Sequence, residues 1–144
     1  MPRLLLSLLL LAAGGSAGSA LGMGLSEDEP TERIPEPSLN FRFRVTDTEM
    51  TKFEVVRASF DGHIYLTGAM GKARVSVPFE KIERVIFEPT GEGRDMLAMV
   101  TLKGGGQQNL VVNGSTPCFG EADFGNVQIE IRHLREALVL GRVD

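Results

Sequence analysis

The sequence predicts an all-β fold made of two tandem repeats of about 50 residues, each with five strands. Apolar and polar residues alternate along most of the chain after residue 38, which is the period of a half-buried strand. Clusters of glycine, proline, asparagine and aspartate separate the alternating segments, as turns require. The pattern of residues 75–87 also recurs in degraded form at 127–139, 52 positions later. We expect the repeats, 38–88 and 96–141, to pack together or to merge into one β-sandwich.

The register shared by the two repeats also covers their turns. Asp61-Gly62 and Asn113-Gly114, two dipeptides typical of hairpins, are 52 positions apart, and so are Gly68 and Gly120. Apolar positions coincide at the same offset: Phe60, Val75, Val77, Phe79, Ile82 and Ile86 with Val112, Val127, Ile129, Ile131, Leu134 and Leu138. A structural duplication explains this agreement, because the apolar positions are kept while the polar positions differ.

The first 20 residues have the composition of a secretory signal peptide. One positive charge at Arg3 precedes a short apolar run, and small residues follow it as far as Ala20. Cleavage is predicted after Ala20 or after Gly22. The apolar run is shorter than the roughly 20 residues of a membrane span. We therefore expect a protein of the bacterial periplasm or the exterior, with a eukaryotic secreted protein as the alternative, and no integral membrane segment after cleavage.

Residues 21–37 are predicted to form a flexible linker between the cleavage site and the domain. Three prolines and five acidic residues leave too little apolar surface to order this segment: Glu27, Asp28, Glu29, Glu32 and Glu36. The whole chain has a net charge of −4, but the part after Pro37 carries 14 acidic and 13 basic residues. A nearly neutral domain has no electrostatic footprint for nucleic acid, so no nucleic-acid partner is predicted.

The first strand of repeat one is predicted at residues 39–45, where apolar and polar residues alternate. Within this strand, the segment Phe41-Arg42-Phe43-Arg44 looks like a strand that binds nucleic acid. Consecutive side chains of a strand face opposite ways, however, so we expect buried phenylalanines and exposed arginines. A second strand is predicted at 53–60. Asp61-Gly62 then closes a hairpin with the third strand at 63–67, because both central positions of a type I′ turn need positive φ.

A turn at Gly71-Lys72 leads into the fourth strand, in which the odd-numbered residues of 75–79 face one way. Pro78 has no N–H for a neighbouring strand, so it marks a sheet edge or the end of the strand. A short 3₁₀ turn at 80–82 and a fifth strand at 84–88 complete the first repeat.

After a loop at 89–95, the second repeat is predicted to follow the same order. Strands at 96–103 and 107–112 are separated by Gly104-Gly105-Gly106. This is a permissive turn, since no Lys-Ser/Thr pair or helix start follows it to make a phosphate loop. Because the second repeat corresponds to the first, strands are predicted as far as residue 141, the end of the domain. Arg135-Glu136-Ala137-Leu138 also contains good helix formers, so a short C-terminal helix is the alternative.

Five strands with a one-turn break between the last two is a layout that resembles the small-barrel class, which includes SH3-like, Sm-like and PRC-barrel folds. The resemblance lies in the pattern of 38–88 and 96–141 and implies only the fold. No ligand-binding motif of those families occurs in the sequence, so no function and no residue is carried over. A single barrel of this size is marginally stable, which favours a core shared by the two copies.

Cysteine and histidine are too scarce for a convincing metal site. Cys118, Glu121, Asp123 and His133 are the weak candidates. Their spacing fits no closed zinc site, and acidic residues are common in turns for other reasons. We therefore predict no metal and no cofactor. As the only cysteine, Cys118 cannot form an internal disulfide; burial is expected, with a bridge between two chains as the alternative.

The sequence also contains no convincing catalytic group. A nucleophile needs a base and a group that orients the base. Ser76 lies on an outward strand face beside Arg74, and Cys118 has only His133 as a base in the second half of the chain. No nucleophile elbow of the G-x-S-x-G kind occurs. No catalytic residue is therefore predicted, and the protein is not expected to be an enzyme.

These observations favour a secreted, non-catalytic β module that acts by contact with a protein partner through an exposed strand edge. The alternative is a small-ligand or metal-binding domain that uses residues 117–123 and His133. The identity of the partner and the oligomeric state stay open.

Overall fold

The computed structural model describes residues 33–144. The predicted signal peptide and most of the predicted linker therefore lie outside the described residues. The described part contains ten strands and two 3₁₀ turns: β1 Phe41–Asp47, β2 Lys52–Phe60, β3 Tyr65–Met70, β4 Ala73–Pro78, a first 3₁₀ turn Phe79–Lys81, β5 Ile82–Pro89, β6 Asp95–Leu102, β7 Gln107–Asn113, β8 Pro117–Ala122, β9 Gly125–Glu130, a second 3₁₀ turn Ile131–His133 and β10 Leu134–Arg142. The prediction of an all-β protein is confirmed. None of the helical segments among residues 33–144 has the length and hydrophobicity of a membrane span.

All ten strands belong to one curled antiparallel sheet with the order β9-β8-β2-β1-β10-β5-β6-β7-β3-β4. Strand β10 pairs with β1 on one side and with β5 on the other, so the last strand of the chain lies in the middle of the sheet. The strands of residues 41–89 and 95–142 are interleaved in this order. Neither set of five consecutive strands therefore forms a sheet of its own.

Strand β1 shows how the alternating pattern builds the core. Phe41, Phe43 and Val45 are buried, whereas Arg42 and Arg44 are exposed on the opposite face. This is the separation predicted from the sequence, because successive side chains of a strand point to opposite faces of the sheet. The expected burial of the phenylalanines is confirmed.

The centre of the core is a cluster of aromatic rings around Phe79, which begins the first 3₁₀ turn. Its ring centroid lies 4.7 Å from Phe43, 5.5 Å from Phe41 and 5.6 Å from Phe60. The rings of Phe41 and Phe60 meet it edge to face, which is a favourable arrangement for aromatic pairs. The short turn thus connects β4 to β5 and also supplies one of the large aromatic side chains of the core.

The end of the chain forms a strand, as the internal copy predicts, and the alternative of a C-terminal helix is wrong. Arg135-Glu136-Ala137-Leu138 lies within β10, which has a paired strand on each side. Helix propensity is a weak preference that tertiary contacts override. Ala137 is fully buried between Val45 of β1 and Val85 of β5, so the strand conformation buries apolar surface on both sides.

The hairpin predicted at Asp61-Gly62 is only partly formed. Asp61 and Gly62 have φ of 53° and 87°, as a type I′ turn requires, and Phe60 and His63 exchange two backbone hydrogen bonds of 2.9 Å. Pairing stops after this single bridge. Strand β3 then leaves β2 and joins the other half of the sheet, where it contacts β7 and pairs fully with β4. The predicted turn is therefore confirmed, whereas the prediction that β2 and β3 pair as a hairpin beyond it is wrong.

The dipeptide Asn113-Gly114 makes a different turn, in which neither residue has positive φ. The N–H of Thr116 donates to the carbonyl of Asn113 at 3.1 Å, and the N–H of Ser115 donates to its Oδ1 at 2.8 Å. An asparagine side chain that accepts a bond from the backbone two residues later stabilises a turn without a type I′ geometry. Strand β8 then pairs with β2 rather than with β7.

Gly68 and Gly120 allow the β3–β4 and β8–β9 hairpins to lie close to the rest of the sheet. A Cβ atom at Gly68 would lie 2.8 Å from the carbonyl oxygen of Val111. At Gly120 it would lie 2.5 Å from Cγ2 of Val55. Both distances are shorter than any ordinary contact, so a glycine is needed at each position for close packing.

Candidate functional site

Cys118, the first of the predicted candidates, lies in β8 with its side chain in the core. It is 4% exposed, lies opposite Phe60 of β2 and has a free thiol, so its expected burial is confirmed. Burial raises the pKa of the Cys118 thiol to about 12, because apolar surroundings destabilise the thiolate. A thiol that stays protonated at neutral pH is a poor nucleophile and a poor metal ligand.

This burial predicts a specific loss of stability at alkaline pH. The pKa of Cys118 is raised from 9.0 to about 12 in the folded protein. The contribution of the buried thiol to the free energy of unfolding is therefore complete below pH 9. It is lost as pH rises toward 12, because only the unfolded chain releases the thiol proton in that interval. The free energy of unfolding should fall there by about 1.4 kcal/mol per pH unit more steeply than in Cys118→Val. Urea denaturation under reducing conditions measures both slopes, and equal slopes would contradict the assignment.

The other three candidates do not join Cys118 in a ligand set. The carboxylate of Glu121 accepts a hydrogen bond of 2.8 Å from Nη1 of Arg57, and Asp123 lies in the turn after β8. His133 ends the second 3₁₀ turn, and its backbone carbonyl accepts the N–H of Thr48 at 2.9 Å. Among residues 33–144, no group of three or more His, Cys, Asp or Glu side chains is placed to hold a metal ion.

The outer face of β1 and β2 is occupied by ion pairs. Arg44 and Arg42 donate hydrogen bonds of 3.1 and 3.3 Å to the two carboxylate oxygens of Glu54. These bonds, first from Arg44 and then from Arg42, hold the pKa of Glu54 below its ordinary value. The arginines that suggested a nucleic-acid strand are thus already paired within the sheet.

A cavity of about 270 Å³ lies beside the Asp61-Gly62 turn. The rings of His63 and Tyr65 stack at its wall, with centroids 4.9 Å apart and planes inclined by 18°. Asp61, Thr67 and Arg74 also line the cavity, together with residues of the second half of the chain such as Thr116. The cavity exists because β3 leaves β2 at this turn and crosses to the other half of the sheet.

A second pocket of about 380 Å³ adjoins this cavity, since Thr67, Arg74 and Asn113 line both. The rest of its lining consists of Gly68, Ala69, Lys72, Ala73 and Val111. We call this pocket the basic groove, because its lining includes Lys72 and Arg74 and, among the described residues, no acidic side chain. It runs along the outer side of the β3–β4 hairpin.

Strand β4 lies at one end of the strand order, and no other strand of residues 33–144 pairs with its outer side. The N–H of Phe79 donates to the carbonyl of Ile64 at 3.0 Å, so even-numbered residues of β3 direct their backbone groups toward β4. Thr67 and Ser76, which are directly opposite each other, therefore form a pair without backbone hydrogen bonds, and their hydroxyl oxygens lie 2.9 Å apart. The N–H of Ser76 consequently points away from the sheet, and so does that of Arg74.

The sequence pattern identified individual residues of the β4 edge and the basic groove, but did not predict that they form one site. It placed Ser76 and Arg74 on an outward strand face and recognised Pro78 as the mark of an edge. The sequence does contain a signal for this exposed face: polar residues alternate with small or apolar residues from the Gly71-Lys72 turn onward. The polar residues are Lys72, Arg74 and Ser76. The contribution of Asn113 and Val111 to the groove had no signal in the sequence, because these residues come from β7, far along the chain.

Comparison with known proteins identifies a family for this chain but assigns no activity to it. No curated protein and no solved structure matches the chain. Residues 37–141 match the model of a family described as "Uncharacterised protein", from just before β1 to the penultimate residue of β10. Because this match covers well over half of the sequence, the chain belongs to that family.

Proposed function

We propose that this protein is a non-catalytic binding module of the periplasm or the exterior, and that a protein partner adds an extended strand to the outer edge of β4. Addition of a strand to an exposed edge is a common mode of recognition, in which backbone hydrogen bonds supply affinity and side-chain pockets supply specificity. The signal-like N-terminus supports the location. The edge of β4 supports the mode of binding.

The observation that carries this proposal is the pair of outward N–H groups at Arg74 and Ser76. Unpaired backbone groups in a regular row are a template for another strand. The side chains of β4 suit this role, because Val75 and Val77 pack partly against the core and hold the strand in place. Arg74 and Ser76 are exposed on the other face, where a partner can contact them.

The edge of β4 is also short and protected at one end. It spans six residues and ends at Pro78, which has no N–H to donate. Short edges and edge prolines limit uncontrolled pairing between sheets. An edge with two free donors next to a groove is therefore suited to a short, specific segment rather than to open-ended aggregation.

Substitution of Ser76 by proline tests the proposal, because it removes one outward N–H without removing a backbone hydrogen bond to β3. The hydroxyl contact between Ser76 and Thr67 is lost as well, on the exposed face of the hairpin. The matched control is Gln128→Pro on the opposite edge strand β9, where Gln128 lies opposite Phe119 as Ser76 lies opposite Thr67. We expect Ser76→Pro to abolish capture of a partner from periplasmic extract, whereas Gln128→Pro retains the same partner. Quantitative mass spectrometry of proteins bound to each immobilised full chain measures the difference.

Both variants must show the thermal stability of the wild type for this comparison to hold. A protein that is lost with Ser76→Pro and kept with Gln128→Pro supports recognition at β4. Equal capture by all three chains, or loss with Gln128→Pro alone, contradicts it.

We also propose that the chain is an internal duplication whose copies have exchanged hairpins, each half having the SH3-like layout. Four elements of equal or nearly equal length recur at an offset of 52: β3 and β8, β4 and β9, the two 3₁₀ turns, and β5 and β10. The sheet order also reads the same from either end when each strand is replaced by its counterpart. Each half then contains two strands of one copy and three of the other, since the β3–β4 and β8–β9 hairpins lie in opposite halves.

A further inference from the structure

We infer that the segment recognised at β4 is acidic, with a carboxylate placed between Lys72 and Arg74 in the basic groove. This inference rests on the proposed function, because the groove lies along the same edge strand. It adds the chemistry of the partner, which the backbone groups of the edge do not specify.

The first support is the charge of the groove. Its lining contains two cationic side chains, Lys72 and Arg74, and the hydrogen-bonding groups of Thr67 and Asn113. Val111, which is 39% exposed, adds an apolar contact. A carboxylate in this pocket meets two positive charges without an acidic neighbour in the lining, so the interaction is charge-assisted and stronger than a neutral hydrogen bond.

The second support is that Arg74 has no ion-pair partner within the part of the chain that the structure describes. Arg42 and Arg44 pair with Glu54, and Arg57 pairs with Glu121, on the outer face of the other half of the sheet. Among residues 33–144, no salt bridge or side-chain hydrogen bond engages the guanidinium of Arg74. Its fork of donors is thus available to a planar carboxylate, which it can bind through two parallel bonds.

The third support comes from the opposite edge of the sheet. At an offset of 52, the positions of Lys72 and Arg74 correspond to Phe124 and Asn126 near the start of β9. The same local structure therefore forms with uncharged residues. The two positive charges are therefore not needed for folding of a hairpin at a sheet edge. Their presence at β4 fits a role in recognition of an acidic segment, besides the protection that charges give any exposed edge.

The charges around the cavity and the adjoining groove determine at which end of this shared space the partner's carboxylate binds. Arg74 lines both spaces, Lys72 lines only the groove, and Asp61 lines only the cavity beside His63 and Tyr65. A carboxylate is repelled by Asp61 and attracted by Lys72, so it lies at the groove end of this path. Complementary charges of this kind determine specificity and association rate more than total affinity.

The test uses three synthetic peptides of about eight residues, the length of an edge strand with short flanks. They alternate valine with glutamate, with glutamine or with lysine. Fluorescence anisotropy with the full chain should show that the glutamate peptide binds roughly tenfold more tightly than the glutamine peptide, while the lysine peptide binds most weakly. The preference should shrink as salt is raised, because exposed charges are screened.

The variant Lys72→Gln/Arg74→Gln should bind the glutamate and glutamine peptides equally. Its matched control, Arg42→Gln/Arg44→Gln, makes the same change in net charge on the other half of the outer face and should keep the full preference. Loss of the preference in both double variants would assign it to overall charge and overturn the inference.

Failure of this inference is distinguishable from failure of the proposed function. Equal binding of all three peptides by the wild type, abolished by Ser76→Pro, would keep recognition at the edge and reject an acidic partner. Absence of binding of any peptide at millimolar concentration would count against both. Binding of the glutamate peptide that survives Ser76→Pro would show a carboxylate site that does not use the strand edge, and would overturn the inference as stated.

Discussion

Replacement of Phe79 by alanine is expected to lower the free energy of unfolding by about 3–5 kcal/mol, the usual cost of deleting a buried phenylalanine ring. Phe79 is fully buried, and three aromatic rings lie within 5.6 Å of its centroid. These neighbours belong to β1 and β2, whose backbone is fixed by pairing, so they cannot collapse into the space left by the ring. The cavity therefore persists and adds to the lost transfer free energy.

Urea denaturation monitored by circular dichroism measures this effect, and Phe124→Ala is its control. Phe124 is also a phenylalanine in a ring contact, with Phe53 at 6.2 Å, but it is 76% exposed. Its replacement should cost less than about 1 kcal/mol, since little apolar surface is lost from the interior. Similar costs for the two variants would contradict the central place of Phe79 in the core.

The same experiment on Ile131 tests the proposed duplication. Ile131 begins the second 3₁₀ turn, 52 positions after Phe79, and is 1% exposed. If the two turns have the same structural role, Ile131→Ala should cost about 2–5 kcal/mol, the range for buried isoleucine. A cost below about 1 kcal/mol would show that only the first turn anchors the core, and would weaken the duplication.

Replacement of Gly120 by valine is expected to cost at least about 3 kcal/mol, at the upper end of the range for overpacking. A Cβ at this position would lie 2.5 and 2.6 Å from Cγ2 and Cβ of Val55, which is itself buried in β2. The backbone of Gly120 does not have positive φ, so the cost is steric rather than conformational. Relief requires β8 to move away from β2, which weakens the pairing that joins the two parts of the chain.

A double-mutant cycle distinguishes this clash from a general loss of stability. In the milder background Gly120→Ala, adding Val55→Ala should recover part of the loss, so the double variant is more stable than the sum of the single effects predicts. Gly106→Ala is the control, because its nearest neighbour, Cδ1 of Leu102, would lie at an ordinary 3.5 Å. That change should remain within about 1 kcal/mol of the wild type. Additive effects of Val55→Ala and Gly120→Ala would contradict the close approach.

The strands and their buried faces were predictable because they depend on local pattern. Alternation identified Phe41 and Phe43 as core residues, and the proline without an N–H identified the end of β4. The copy of residues 75–87 correctly predicted a strand for the end of the chain, against its helix propensity. The alternation of side chains along a strand and the missing N–H of a proline are local properties that involve only a few neighbouring residues. Both can therefore be read from a single sequence.

The site was less predictable, and Cys118 shows why. Its burial follows from its type and its place in a strand, and the structure confirms it. Its grouping with Glu121, Asp123 and His133 required side chains from one strand and a distant turn to converge. Instead Glu121 turns toward Arg57 of β2, on the outer face. Proximity in sequence does not fix the direction of a side chain relative to its neighbours in space.

By itself, the sequence determined which residues form strands, which of their faces are buried and where the chain turns. The tertiary structure alone decided which strands pair. Asp61-Gly62 has the chemistry of a hairpin and adopts its dihedral angles, yet β3 leaves β2 and joins the other half of the sheet, beside β7. The physical reason is that backbone hydrogen bonds are the same for every strand, so the choice of partner depends on burial summed over the whole sheet. That choice brings Lys72 and Arg74 beside Asn113 and thereby forms the basic groove.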